Sequence, residues 1–87
     1  MILIDPPNAA GYGRLWSHLA SDVSFDELHA FAATIGIPAR GFDRDHYDVP
    51  AERYADVVAA GATPVSSREL VRRLVAAGLR RRKHGSP

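Results

Sequence analysis

The chain contains no cysteine, which excludes a disulfide framework and any zinc site built on thiolates. Its 87 residues hold no apolar run near the roughly 20 residues needed to span a bilayer. The N-terminus has neither the basic lead nor the long apolar stretch of a secretory signal. A soluble, cytoplasmic protein without membrane association is the expectation. Also missing are the loops that cradle phosphates or raise a serine nucleophile: there is no P-loop, no G-x-G-x-x-G and no G-x-S-x-G. The short GYGR, Gly11 to Arg14, is too brief to serve as a phosphate loop. Aromatic residues are few, at 8%, with a single tryptophan, and Trp16 is most simply a core residue. A domain of this size has little core to spend, since about 60 residues bury only about 60% of their unfolded surface. Packing alone must hold it, with a homodimer as one way to enlarge the buried area.

What is present is unevenly charged. The net charge of +1 hides ten Asp/Glu against five Lys/Arg up to residue 71, followed by six Lys/Arg and no acid from residue 72 onward. Residues 1–78 read as one compact domain and residues 79–87, LRRRKHGSP, as a basic, flexible tail. Such a tail neutralises phosphates, so a nucleic-acid partner reached through residues 79–87 is one functional expectation.

MILI opens the chain as a short buried strand running into Asp5, and PPNAAGYG follows as turn-forming loop. The alternation in LWSHLASD suits a second strand. Ser24 and Glu27 form an S-x-x-E capping box ahead of Leu28, Phe31, Ala32 and Ile35 at helical spacing. A second helix is expected to start at Pro50, which suits a first helical turn, with Asp48 or Val49 as its cap and Tyr54, Val57 and Val58 on its apolar side. ATPV forms a third strand. Ser66 and Glu69 open a third helix with Leu70 and Leu74 inside. The expected fold is a small α/β domain, a short sheet of about three strands packed by three helices.

The histidines carry the chemistry. His18, His29 and His46 could join Asp5, Asp22, Asp45 or Asp48 around a divalent metal, because neutral imidazole and carboxylate are the usual ligands when thiolates are absent. No known metal motif matches their spacing. In RDHYDVP, residues 44–50, capping accounts for Asp48 but leaves His46 and Tyr47 unexplained, and a His–Tyr pair beside a helix start suits an anion. Arg68 opposes the dipole of its own helix, so it either pairs with a carboxylate or meets an anion. Together His18, His29, His46 and Tyr47, with Asp5 and Arg68 nearby, are expected to line one polar pocket for a phosphate-bearing ligand. As an enzyme this would be a metal-assisted phosphoester hydrolase with Asp5, His18, His46 and Arg68 as its catalytic candidates. The contrasting expectation is a non-catalytic adaptor acting through the basic tail.

Several short words reinforce this set: WSHL at 16–19, ELHAFA at 27–32, Ile35-Gly36, Arg40-x-Phe42, HYDV at 46–49, Arg53, Gly61-Ala62 and SREL at 67–70. Together they resemble a bacterial and phage family, domain of unknown function 4031, over roughly residues 2–71. The resemblance implies a small stand-alone α/β protein and brings no activity with it. It singles out Asp5, Trp16, His18, His29, His46, Tyr47, Arg53 and Arg68. The chain departs from the family pattern after Asp5, where relatives often carry a second acid and this sequence has Pro6. That departure weighs against a paired-carboxylate site there.

Overall fold

The computed structural model describes residues 1–80. Strand β1 (Ile2–Ile4) leads through a proline-containing loop to β2 (Ala9–Gly11) and the long β3 (Arg14–Ser21), followed by helix α1 (Phe25–Thr34). A 3-10 turn at Ala39–Gly41 precedes β4 (Phe42–Asp43) and β5 (His46–Pro50). After a second 3-10 turn (Ala51–Arg53) come α2 (Tyr54–Ala59), β6 (Thr63–Pro64) and α3 (Ser67–Ala76). The α/β class is as expected, but the sheet has six strands rather than about three.

The extra strands come from segments read as loop or helix entrance. Residues 44–50 are not a helix start: His46–Pro50 is a strand, and Asp48 caps nothing. Its burial alternates, with Tyr47 and Val49 inward and His46, Asp48 and Pro50 on the other side, the period of two that a strand imposes. Proline is tolerated at the end of a strand, and the helical turn that was expected at Pro50 begins only afterwards. Likewise Ala9–Gly11 is a strand, forming a hairpin with β3.

The strand order is β4-β5-β3-β1-β6, with β2 also on β3. Trp16 pairs with both Ala9 and Pro50, and Leu19 with both Ile4 and Tyr47, so β1 and β2 share one edge of β3 and β5 holds the other. Among the described residues, only β1 and β6 pair in parallel.

Alternation along these strands sends side chains to two layers. Ile2, Ile4, Leu19, Tyr47 and Val49 meet Leu28 and Ala32 of α1 and Val57 of α2. Leu3 and Ala20 meet Leu70 and Leu74 of α3, with Leu79 packed alongside. Leu3, Ile4, Leu19 and Leu74 are fully buried, each worth about 1.5–3 kcal/mol relative to exposure. Both expected caps form, Ser24 accepting from the Glu27 N–H and Ser66 from the Glu69 N–H, each at 3.0 Å. The glutamates do not complete their boxes. Glu27 accepts from the Ser21 hydroxyl, and Glu69 accepts from Arg72 and Arg73.

Beyond residue 78, Leu79 packs on the α3 layer and Arg80 is ion-paired with Asp45. Residues 81–87, and with them the expected nucleic-acid contact, lie outside the described residues. No helix among the described residues is long and apolar enough to cross a membrane.

Candidate metal centre

Helix α3 is ten residues long and covers only part of its side of the sheet. On the remainder, the side chains of β3 and β5 that alternation sends to this face are Trp16, His18, His46 and Asp48. Register makes His18 and Asp48 direct cross-strand neighbours. The His18 and His46 rings meet edge-on, with centroids 4.9 Å apart and planes at 82°.

Each imidazole is held by its own buried carboxylate. Asp5, 1% exposed, sits just beyond β1, and its Oδ1 accepts the His18 backbone N–H at 2.6 Å. Its Oδ2 accepts His18 Nδ1 and the Ser67 hydroxyl, each at 2.8 Å. Asp45, 7% exposed, lies in the tight turn between β4 and β5, where Arg44 adopts φ +63°. It accepts His46 Nδ1 at 2.8 Å. It is gripped in turn by Arg80, whose Nε reaches Oδ2 at 2.7 Å and whose Nη2 reaches Oδ1 at 3.0 Å.

These partners settle the tautomers. An ionised carboxylate only accepts, so Nδ1 of each ring must carry the hydrogen, and Nε2 is the atom each neutral ring can offer as a donor of electrons. His46 Nε2 stands 3.3 Å from Asp48 Oδ1. Two acceptors at that distance require positive charge between them, either a proton or a metal ion. His18, His46 and Asp48 together offer one ligand atom each, with no two more than 4.8 Å apart. Four-coordinate bonds of about 2.0–2.2 Å place neighbouring donors about 3.3–3.6 Å apart. The set is therefore wider than a closed site by no more than about an ångström, and Asp48, whose side chain is 44% exposed, is the member free to close it.

Charge in the site follows from these contacts. Burial opposes ionisation of Asp5, but the hydrogen bonds from His18 and Ser67 outweigh it and hold the carboxyl below the usual aspartate value. Asp45 is likewise pushed up by burial and brought down further by Arg80 and His46. The Asp5 hydrogen bond raises His18 above the ordinary imidazole value against the effect of burial, with the Asp48 charge adding to the rise. The donors open onto a cleft of about 430 Å³ whose other walls include Ala10, Tyr12, Trp16 and Asp43.

The expected single pocket is divided by the sheet. His46 and Tyr47 are consecutive in a strand and point to opposite faces. Tyr47 is buried under α1, where its hydroxyl is 2.7 Å from His29 Nδ1, so His29 and Tyr47 are not part of the site. Asp5 is a holder of His18 rather than a ligand, because both its oxygens are engaged. Asp22 is committed to the N-terminal amine and Arg73. Arg68 is exposed in the first turn of α3 and forms no ion pair among the described residues. Trp16 is half-buried on the cleft wall, not core. The arrangement gives definite parts to three residues: Asp48, expected both as a helix cap and as one of four possible metal-binding acids; Asp45, another of those four; and Arg80, expected as tail. The H-x-D spacing of His46 and Asp48 is the one available signal, since residues two apart share a face once the segment is a strand. Arg80 carries no such signal, being 35 residues from Asp45.

Comparison with known proteins adds membership and nothing finer. Residues 2–77 match the family model described as Protein of unknown function (DUF4031). No curated protein and no solved structure matches the chain.

Proposed function

Since the chain belongs to the DUF4031 family, whose description names no activity, the site geometry must carry the reading, and we propose that the protein binds one divalent metal ion through His18, His46 and Asp48. The observation that carries this is the doubled arrangement in which each imidazole gives Nδ1–H to a buried carboxylate, while His18, His46 and Asp48 each bring one ligand atom within 4.8 Å of the others. Carboxylate-held histidines are the usual supporting shell of metal ligands, because they fix the tautomer and make the free nitrogen more basic.

The chemistry that best suits the cleft is hydrolysis of a phosphoester. Three protein ligands leave a position open, and an ion there supplies a Lewis acid and a nucleophilic water near neutral pH. The residues of this chain supply the rest. Asp5 and Asp45 keep both rings fixed before substrate arrives, and the cleft leaves room for an ester beside the donors. A cytoplasmic setting, in keeping with a chain free of cysteine, goes with this reading.

The test is titration of the metal-free protein with Co²⁺ and Zn²⁺, followed by absorption and calorimetry, then a phosphodiester and phosphomonoester panel with each ion. One ion per chain is expected, with binding lost in His46→Ala and Asp48→Asn variants that keep the wild-type circular dichroism. Absence of binding at millimolar ion would refute the metal site. Binding without turnover on the panel would leave a metal-binding protein and remove the hydrolase.

A further inference from the structure

The turn between β2 and β3 holds a residue that the fold does not explain. Gly11 pairs with Arg14, leaving Tyr12 and Gly13 as a two-residue hairpin loop with φ of +52° and +73°. Positive φ at both central positions is the turn that matches strand twist, and Asn-Gly or Gly-Gly fills it most easily. A bulky side chain in that conformation is a genuine outlier. Tyr12 recovers nothing by packing, since it is 98% exposed. It does line the cleft that contains His18, His46 and Asp48.

Trp16, from the same hairpin, lines this cleft too, and its ring is held in place. The indole N–H donates to the Gly11 carbonyl at 2.8 Å, and the Arg14 guanidinium lies 5.6 Å from the ring centre. The hairpin therefore presents one fixed aromatic ring on the wall and one solvated aromatic ring at the tip, both on the cleft that holds the metal donors.

We propose that Tyr12 and Trp16 form an aromatic clamp for the flat ring of an aryl or nucleoside phosphoester whose phosphate lies at His18, His46 and Asp48. The position of the phosphate rests on the metal reading; the clamp rests on the hairpin. The strained tyrosine is retained in the turn because it stacks on a ligand, and its exposure is the state before that ligand arrives. Stacking favours a planar π surface over a saturated ring of the same size, because offset and edge-on contacts depend on the ring quadrupole as well as on area.

Trp16 is the only tryptophan in the chain, so intrinsic fluorescence reports the cleft directly. The protein is titrated with phenyl phosphate, cyclohexyl phosphate, uridine 5′-monophosphate and inorganic phosphate, with and without Zn²⁺. Phenyl phosphate is expected to bind more tightly than cyclohexyl phosphate. The Tyr12→Asn variant should lose about 2- to 12-fold of affinity for phenyl phosphate, keep its affinity for cyclohexyl phosphate, and melt at a higher temperature because asparagine suits the turn. Tighter binding of the uridine nucleotide than of phenyl phosphate identifies a nucleobase as the ring; the reverse order identifies a simple aryl group. Equal binding of the phenyl and cyclohexyl esters, no effect of Tyr12→Asn, or no binding of either ester overturns the clamp. A phenyl preference that persists without any metal binding supports the clamp while removing the metal site, and metal binding without ring discrimination does the opposite.

Discussion

Removing the Arg80 guanidinium isolates the contact that ties the C-terminal end of the described chain to the candidate site. Arg80→Ala deletes two charge-assisted hydrogen bonds, at 2.7 and 3.0 Å, from a carboxylate whose side chain is only 9% exposed. Breaking a fully buried pair costs about 3–5 kcal/mol, whereas exposed pairs contribute about 0–1 kcal/mol. The Arg80 side chain is 30% exposed, so water can partly replace it, and a loss of about 1.5–3 kcal/mol is expected. For a domain of this size each kcal/mol moves the melting temperature by about 4–8 °C, giving a drop of roughly 6–24 °C.

The pH dependence of that loss has a definite sign. Asp45 has its folded pKa lowered, burial being outweighed by Arg80 and His46. Its contribution is thus present above the unfolded value, near 3.8, and disappears as pH falls through the folded value. The difference between wild type and variant should be full at pH 7 and shrink in strong acid. Asp45 also orients His46, so metal affinity should weaken by about 10- to 100-fold, the usual effect of losing an outer-shell partner, with Arg80→Lys intermediate because it keeps charge but not the two-pronged geometry. Thermal melts across pH and Co²⁺ titrations read both effects. Unchanged melting at pH 7 would refute the energetic argument, and unchanged metal affinity in a destabilised variant would show that Asp45 orients His46 without Arg80.

Two other expectations test neighbouring parts of the structure. The His18 ring should titrate above 6.5 in proton NMR and fall back in Asp5→Asn; because its folded pKa is raised, its stabilising effect is full below 6.5 and fades as pH rises through the folded value, the same range over which metal should bind more tightly as the proton leaves. Tyr47→Phe removes the hydrogen bond to His29 on the opposite face and should cost about 0.5–1.5 kcal/mol of stability with no change in metal affinity, so a weakened metal site in that variant would contradict the division made by the sheet.

The elements that announce themselves in the sequence are those whose signals are local. Ser24 with Glu27 and Ser66 with Glu69 mark helix starts because a capping side chain reaches only the next turn, and both caps form. Leu28, Ala32, Leu70 and Leu74 recur at helical spacing and are buried. The segment 46–50 was misleading because two local readings compete there. Pro50 suits a helix start, whereas His46-Tyr47-Asp48-Val49 alternates as a strand, and the outcome depends on β3 being available to pair with it. The expected pocket gathered His18, His29, His46 and Tyr47 by residue type, and that choice could not survive a strand, whose consecutive side chains diverge.

Composition and short-range pattern were enough to establish a cysteine-free α/β domain with capped helices and an unusual supply of histidine. Which histidines act together was set by register, since pairing His18 with Asp48 across β3 and β5 brings residues 30 positions apart into one face while sending Tyr47 to the other. The supports of those rings, Asp5 with Ser67 and Asp45 with Arg80, bridge 62 and 35 residues. Contacts of that span leave no period or motif along the chain; they exist because close packing of the sheet against α3 brings the partners within hydrogen-bonding distance.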